Sequence, residues 1–207
     1  MKSVFDRYYK RYDTWYDRNS FAYMSELEAI RKVLPKKGKG LEIGVGTGRF
    51  AASLGIEYGI DPSGNMIKIA RKRGVWASVG RGEKIPFKES VFDYAAIIIT
   101  ICFVKDPSKV LREVRRVLKR GGKIIIGIVD RDSFLGGLYR KKKSVFYKKA
   151  RFFGVRELTN LLKSSGFGRF SYYQTLFKPP DKIKSLQRPR RGFGKGGFAV
   201  ISAHKLP

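Results

Sequence analysis

LEIGVGTGRF, residues 41–50, is a short apolar run that leads into a turn rich in glycine. Gly44, Gly46 and Gly48 alternate with small residues there. Glu42 stands two positions before the first of these glycines. Glycines at this spacing permit a tight turn and allow a ligand to approach the backbone closely. We therefore predict a buried strand that ends in a ligand-binding turn, with a carboxylate beside it.

Predicted strands and helices alternate along the chain on both sides of this turn, which favours a parallel sheet with helices on both faces. The last two predicted strands have no helix between them, so we expect them to pair antiparallel. We predict an α/β fold with a seven-stranded, mostly parallel, doubly wound sheet whose last strand is antiparallel. One or two helices within residues 3–34 should form a cap. The predicted strands are residues 40–44, 57–61, 76–80, 92–100, 121–130, 169–177 and 196–205.

Three kinds of ligand are candidates for the glycine turn: a nucleoside triphosphate, a dinucleotide and S-adenosylmethionine. A phosphate-binding P-loop requires Lys-Ser or Lys-Thr after the glycines, and neither follows here. A dinucleotide site requires a third glycine where this chain has Arg49. Glu42 would repel a pyrophosphate but suits an ammonium or sulfonium group. Asp61, at the end of the second predicted strand, can accept hydrogen bonds from ribose hydroxyls.

The chain resembles the class I S-adenosylmethionine-dependent methyltransferases, in the group sometimes called type 11. The resemblance rests on LEIGVGTGRF, GIDPSGNM, GRGEKIPFKESVFDYA and VLREVRRVLKRGGKIIIG, within residues 35–130. TICFVKDP, GIVDRDSFLG and QTLFKPP also resemble one uncharacterised prokaryotic branch of the group. The resemblance implies an enzyme with a Rossmann-like methyltransferase fold that uses S-adenosylmethionine and releases S-adenosylhomocysteine. We expect a single domain, 1–207, with a helical cap (1–38), a cofactor-binding core (39–130), and acceptor-side loops and edge strands (131–207).

By position, the resemblance assigns each part of the cofactor to a separate stretch. The methionine part lies against the strand-end acid and the first two glycines, the ribose against the next strand-end acid, and the adenine near the residues that follow it. The loop after the third strand borders the adenine. Many members have, in place of Arg81, an acid that reaches the adenine amino group; Arg81 cannot accept that bond. The implied cofactor-binding residues are Tyr12, Glu42, Gly44, Gly46, Gly48, Asp61, Pro62, Met66, Gly82, Glu83 and Thr100.

We expect the methyl acceptor beyond the fourth strand, against TICFVKDP at 100–107. The Asn/Asp-Pro-Pro-aromatic motif of enzymes that methylate exocyclic base amines is absent there, which argues against DNA adenine methylation. Cys102 has two interpretations, a nucleophile that adds to a pyrimidine or a small buried apolar residue, the commoner role of a free cysteine. The resemblance also favours a lid formed by the leading helix. The acceptor-side candidates are Tyr16, Cys102, Phe103, Arg140 and Lys141.

No catalytic residue can be named from the sequence, because methyl transfer is an in-line displacement that depends mainly on positioning. No His/Cys/carboxylate cluster is visible, so no metal is expected. No apolar run approaches the eighteen or so residues of a membrane span. The single cysteine fits a reducing compartment. We therefore expect a cytoplasmic protein.

The charge leaves the identity of the acceptor open. The chain has 45 Lys and Arg against 17 Asp and Glu, a formal net charge of +28. Such a surface attracts polyanions, and basic residues concentrate in segments 131–151 and 178–195 at the predicted ligand edge. A small-molecule acceptor is favoured because the compact chain has no appended recognition domain. The alternatives are tRNA or rRNA held by the basic segments, or a cofactor-binding protein without turnover.

Overall fold

The computed structural model describes residues 4–142 and 144–207. Lys143, in the first of the two basic segments, lies outside the described residues. No helix in the described ranges is both long enough and apolar enough to cross a membrane.

The strands of the described residues form one sheet. They are β1 (Gly40–Ile43), β2 (Tyr58–Asp61), β3 (Trp76–Val79), β4 (Phe92–Ile98), β5 (Leu118–Val129), β6 (Phe167–Thr175), β7 (Arg190–Arg191) and β8 (Phe198–Lys205). Their spatial order is β3-β2-β1-β4-β5-β8-β6-β7. The pairs among β1 to β5 are parallel, and β8 runs antiparallel to both β5 and β6. The strand order reverses between β1 and β4, so the crevice in which α/β sheets bind ligands lies at the carboxyl end of β1.

Helices cover both faces of this sheet. Three of them, α3, α4 and α5, contribute Ile30, Phe50 and Ala70 to one apolar cluster. The opposite cluster contains Val114 of α6 and Leu158 of α8. The helices are α1 (Val4–Arg7), α2 (Tyr9–Arg18), α3 (Ser20–Arg31), α4 (Arg49–Leu54), α5 (Gly64–Lys72), α6 (Pro107–Val117), α7 (Phe134–Lys141) and α8 (Val155–Ser164), with short 3₁₀ turns at Ile101–Phe103, Tyr147–Lys149 and Pro180–Lys182.

The sequence of the central strand β4 is almost continuously apolar, and the packing of its side chains explains this. Ala96 and Ile98 pack into the first cluster, whereas Ala95 and Ile97 pack into the second. Side chains of a strand alternate between the two faces of a sheet. Because helices cover both faces here, both sets must be apolar.

The predicted fold class is confirmed, with corrections to the element count. Within residues 4–142 and 144–207 the sheet has eight strands rather than seven, because the two-residue β7, in the second basic segment, pairs with β6. The described part of the N-terminal region, from residue 4, forms three helices rather than one or two. β8 is reversed and pairs antiparallel with β6, as predicted, and it lies between β5 and β6.

A further correction concerns the segment 131–151, which the sequence pattern treats as a loop but which contains helix α7. Ser133 caps this helix, since its Oγ accepts a hydrogen bond of 3.1 Å from the Gly136 N–H. Two consecutive glycines inside the helix conceal it in the sequence, because glycine disfavours helix interiors. Gly136 is required by packing, because a Cβ there would overlap the carbonyl oxygen of Asp130.

Asp13 of α2 joins the N-terminal helices to the rest of the fold. Its carboxylate accepts hydrogen bonds of 2.9 Å from Arg49 and from Arg73, and one of 2.6 Å from the Thr47 hydroxyl. Burial acts to raise the pKa of Asp13, but these hydrogen bonds outweigh it and hold the pKa well below its usual range. Asp17, one turn later, also pairs with Arg49, yet its side chain is 61% exposed against 16% for Asp13.

Replacing Asp13 by Ala should lower the free energy of unfolding by about 2–4 kcal/mol, because two partly buried guanidinium groups lose this carboxylate and Arg49 keeps only the exposed Asp17. Asp17→Ala is the matched control on the same helix with the same partner, and it should cost less than about 1 kcal/mol because that pair is exposed. Urea unfolding followed by circular dichroism measures both. Equal losses would contradict the assignment of Asp13 as the anchor.

Candidate active site

The turn after β1 is built from glycines in the left-handed region of backbone space. The φ angles of Gly44, Gly46 and Gly48 are 72°, 54° and 78°. A Cβ on Gly44 would overlap the side chain of Thr100, and one on Gly48 would lie 2.9 Å from the Cα of Ala70. Gly44 and Gly48 are therefore required by packing as well as by the backbone conformation.

Gly46 differs from Gly44 and Gly48, because a Cβ at this position would meet its nearest neighbours only at ordinary contact distance. A Cβ there would lie 3.5 Å from Sδ of Met66 and 3.8 Å from the ring of Tyr12. Gly46 therefore lies beside Met66 and Tyr12 without the tight packing of Gly44 and Gly48. Thr100, which follows β4, holds the other end of the turn by donating to the Gly44 carbonyl at 3.2 Å.

Two buried carboxylates flank this turn, and they differ in their partners. Asp61, 8% exposed, accepts hydrogen bonds from the Gly46 N–H at 3.0 Å and the Ser63 N–H at 2.8 Å. Glu42 is 1% exposed, and its Oε2 has no hydrogen-bond partner among the described residues. Burial raises the pKa of both groups, most strongly that of Glu42. Because an unpaired buried carboxylate oxygen is unfavourable, the site fits a ligand with an ammonium group.

The N-terminal helix α1 covers the end of β2. Asp6 accepts a hydrogen bond of 2.6 Å from the Ser63 hydroxyl and a longer one from the Asn65 N–H. Met66, in the first turn of α5, is buried beside Gly46, and Pro62 is exposed. The cap therefore lies where the resemblance places a lid.

The loop after β3 supports the site mainly through packing. A Cβ on Gly82 would lie 3.0 Å from the Ile43 side chain and 3.1 Å from that of Val110, so this glycine lets the loop lie close to β1 and α6. Glu83 accepts a hydrogen bond from the Lys105 N–H at 3.1 Å. Arg81 is exposed. Glu83 is thus engaged with the segment that follows β4.

A cavity of about 310 Å³ opens beyond β4 and extends toward the N-terminal cap; we call it the aromatic cavity. Tyr12 joins it to the glycine turn, because its ring lines the cavity and also lies near Gly46. Ile99 lines the cavity with a φ of 50°, a strained backbone conformation for a β-branched residue and one that clusters at functional sites. The aromatic lining is Phe5, Tyr12, Trp15, Tyr16, Phe103, Tyr139, Phe146 and Tyr147.

The structure separates four of the five predicted acceptor-side residues into two groups. Tyr16 and Phe103 line the aromatic cavity, and the Tyr16 hydroxyl lies 2.8 Å from that of Tyr12. Arg140 and Lys141 are exposed on α7, and among the described residues the lining of the cavity includes Lys142 instead of them.

Cys102 lies next to a small separate cavity with Tyr147 and Phe152. Burial raises the pKa of the Cys102 thiol to about 12, so the residue is a thiol at neutral pH. Since the thiolate is the nucleophilic form, this environment favours the interpretation as a small apolar residue.

Glu26, Tyr139 and Tyr147 are among the lining residues of the cavity that the sequence-based candidates do not include. Glu26 is 2% exposed, and burial raises its pKa to about 8. It stands on the apolar side of α3, four residues after buried Ala22 and four before buried Ile30. A charged residue at helical spacing within an apolar stripe is the signal that identifies it.

The sheet order, with its reversed strand inserted beside β5, and the glycine turn between two strand-end acids together define a Rossmann-like methyltransferase. The chain belongs to the S-adenosylmethionine-dependent methyltransferases, and residues 41–126 match the family model described as a methyltransferase domain. The protein is therefore an enzyme whose cofactor is S-adenosylmethionine.

Among the described residues, no group of three or more His, Cys, Asp or Glu side chains could hold a metal ion.

Three similar proteins illustrate the family. A protein of Methanocaldococcus jannaschii named only as uncharacterized is 49% identical over 206 residues, which cover 99% of this chain and all of that protein. The crystal structure of a SAM-dependent methyltransferase of Thermotoga maritima, described as a possible histamine N-methyltransferase, is 49% identical, covers 98% of both chains and superposes with a TM-score of 0.95. The ubiquinone/menaquinone biosynthesis C-methyltransferase UbiE of a Geobacter species is 31% identical over 84% of this chain and 74% of its own length.

Replacing Glu42 by Gln should weaken binding of S-adenosylhomocysteine about 10- to 100-fold, because a hydrogen bond to a charged group is worth about 1.5–3 kcal/mol. The matched control ligand is 5′-methylthioadenosine, which has the ribose and adenine but no amino-acid part. Its affinity should be the same for the wild-type protein and the variant. Calorimetry measures both ligands, and an equal loss for both would show that Glu42 acts on the fold of the turn rather than on the ammonium group.

The raised pKa of Glu26 predicts a specific pH dependence of stability. The unfolded chain has a glutamate pKa of about 4.3, so between that value and about 8 the folded state binds more protons at this residue than the unfolded state. The contribution of Glu26 to the free energy of unfolding must therefore decrease as the pH rises from 5 to 8. Glu26→Gln should remove this decrease, whereas Glu28→Gln, on the same helix and partly exposed, should leave it. The midpoints of urea unfolding at pH 5, 6, 7 and 8 measure this decrease. The same pH dependence of stability in the two variants would refute the prediction.

Proposed function

We propose that the enzyme transfers the methyl group of S-adenosylmethionine to a small-molecule acceptor bound in the aromatic cavity. The observation that carries this proposal is the position of Tyr12, which borders both the glycine turn and the cavity. A methyl group presented at the turn would face the cavity directly. A volume of about 310 Å³ is typical of a site for a small ligand.

We infer the same cofactor contacts that the sequence pattern suggests, with the structure supplying reasons for several of them. Glu42 would take the ammonium group with its unpaired Oε2. Asp61 would accept from the ribose with lone pairs that its two backbone hydrogen bonds leave free. Met66 and Pro62 lie beside this strand end and would border the adenine.

The cofactor supplies an electrophilic methyl group on a sulfonium. The chain's own contribution is to orient the acceptor and to exclude water, which is enough for an in-line displacement. Tyr12 and Tyr16 fix the wall between the two sites, because their hydroxyls are hydrogen-bonded at 2.8 Å and both side chains pack in the apolar cluster of that face. Phe5 and Phe103, whose ring centroids are 4.8 Å apart, connect α1 with the segment after β4 and shield the cavity from solvent.

The names of two relatives support a small acceptor. The Thermotoga maritima protein is described as a possible histamine N-methyltransferase, and the Geobacter protein methylates carbon in ubiquinone and menaquinone biosynthesis. These acceptors differ in chemistry but are both small molecules. They favour the class of acceptor without naming the compound.

RNA is the second candidate acceptor, and the charge of +28 is the observation that favours it. Exposed cations of both basic segments, such as Arg140 on α7 and Arg188 before β7, lie at the carboxyl edge of the sheet. They could hold phosphates. The aromatic cavity argues against RNA, however. Its lining includes the carboxylate of Glu26, whose negative charge would repel a polyanion.

Transfer of a labelled methyl group from S-adenosylmethionine into separated RNA, protein and metabolite fractions of a cell extract tests the proposal. The label should enter the metabolite fraction. Replacing four edge cations by Ala (Arg140, Lys141, Lys184 and Arg188) should leave this transfer unchanged, as should the matched replacement of four exposed cations from the opposite edge (Lys68, Lys72, Arg120 and Lys163).

An RNA methyltransferase would give a different result. The label would enter RNA, and only the first variant would flatten the salt dependence of RNA binding. The slope of log K against log salt would fall by about 0.7 for each single-stranded phosphate that the variant no longer neutralises, or about 0.9 for a duplex. That outcome would replace the small molecule by RNA as the acceptor.

A further inference from the structure

Glu26 of α3 is a carboxylate buried in the wall of the aromatic cavity, and methyl transfer by positioning alone gives it no role. Its side chain is 2% exposed, and its Oε2 has no hydrogen-bond partner among the described residues. Ala22 and Ile30, its buried neighbours on the same side of α3, are apolar. A carboxylate in such surroundings is unfavourable unless a partner reaches it, and the cavity is the direction from which a partner can come.

The rings around Glu26 are suited to a cation. Tyr139 and Tyr147 stack with centroids 4.9 Å apart, and the edge-to-face pair Tyr12 and Tyr16 lies in the same lining. The charge of Glu26 acts on all four of these tyrosines, and burial together with that charge raises their pKa values. They are therefore neutral, and the faces of neutral aromatic rings attract cations.

The cations that line the cavity do not cancel this preference. Arg11, Arg18 and Lys142 are exposed at its mouth, where water and salt screen their charges. Glu26 acts through an apolar interior, where the same charge has a much larger effect. Once Glu26 has lost its proton, a ligand group at its depth therefore experiences a negative site, although the protein as a whole is strongly positive. Because burial raises the pKa of Glu26 to about 8, a cation that binds there at neutral pH displaces that proton.

We propose that Glu26 and the surrounding tyrosine rings bind the protonated basic nitrogen of the methyl acceptor, so that the acceptor is a small amine. This inference rests on the proposed function, because it takes the aromatic cavity to be the acceptor site. The binding is an ion pair within an aromatic enclosure and involves no covalent step. Glutamine has the size of glutamate without its charge, so Glu26→Gln separates the charge from the shape of the cavity.

The test uses two probes that share one skeleton, phenethylamine and 2-phenylethanol, which differ in carrying an ammonium or a hydroxyl group. Their binding is measured by calorimetry with S-adenosylhomocysteine present. The wild-type protein should bind phenethylamine at least about tenfold more tightly than 2-phenylethanol. Glu26→Gln should abolish this preference and keep its affinity for S-adenosylhomocysteine, and Glu28→Gln should retain the wild-type preference.

The thermal midpoint distinguishes a binding role from a structural one. Removing an unpaired buried charge should leave the midpoint of Glu26→Gln at pH 8 equal to or above that of the wild-type protein. The inference is overturned if the wild-type protein shows no preference for phenethylamine, or if Glu26→Gln keeps the preference.

Failure of this inference can be told apart from failure of the proposed function. A methyl-labelled metabolite that a cation-exchange resin does not retain at pH 5 would overturn the amine and leave the small-molecule acceptor standing. A label found in RNA instead would overturn the proposed function itself.

Discussion

The carboxylate of Asp61 holds together the two turns on which the site depends. One oxygen accepts from the Gly46 N–H and the other from the Ser63 N–H, so the turn after β1 and the start of α5 share a single acceptor. Ser63 in turn caps α5, since its Oγ accepts from the Met66 N–H, and its hydroxyl donates to Asp6 of the N-terminal helix. A ribose would therefore bind to a group that already supports the backbone. Weaker cofactor binding in a variant without this carboxylate would combine the missing ribose hydrogen bond with disorder of the turn, which is why Glu42 is the sharper probe of cofactor recognition.

A feature of the site can be predicted from the sequence when it depends on residues that are close together in the chain. The glycine turn could be predicted because the left-handed backbone at Gly44, Gly46 and Gly48 is a local requirement, although the packing of Gly44 against Thr100 joins residues far apart in the chain. Glu26 belongs to no motif, and its signal in the sequence is only its helical spacing from Ala22 and Ile30, which does not by itself show that the side chain lines a cavity. Tyr139 of α7 is not among the sequence-based candidates, because two glycines conceal that helix. Without the helix, nothing indicates that Tyr139 faces inward and Arg140 outward.

Acidic residues are scarce in this protein, and several of them lie in the interior. Glu26, Glu42 and Asp61 are all buried near Tyr12, and each acts on its hydroxyl. The surface charge thus favours anions, whereas the buried acids favour cations in the site that we propose. The distinction bears on turnover, because methyl transfer converts a sulfonium into a neutral thioether. In the proposed binding mode, the attraction between these acids and the sulfur end of the cofactor would disappear at that step, which would favour exchange of the product for a new cofactor.

The position of β8 has a consequence for how the chain acquires its structure. Residues 198–205 follow every other strand in chain order, yet β8 lies inside the sheet and supplies the hydrogen bonds that join β5 to β6. During synthesis on the ribosome, the edge of β5 remains open until this segment has emerged. The parallel half of the sheet, through residue 129, can assemble first, whereas β6 has no strand to pair with in the main sheet. An open edge rich in isoleucine is prone to association with other chains, so the interval before residue 198 emerges is when the nascent chain depends most on protection by chaperones.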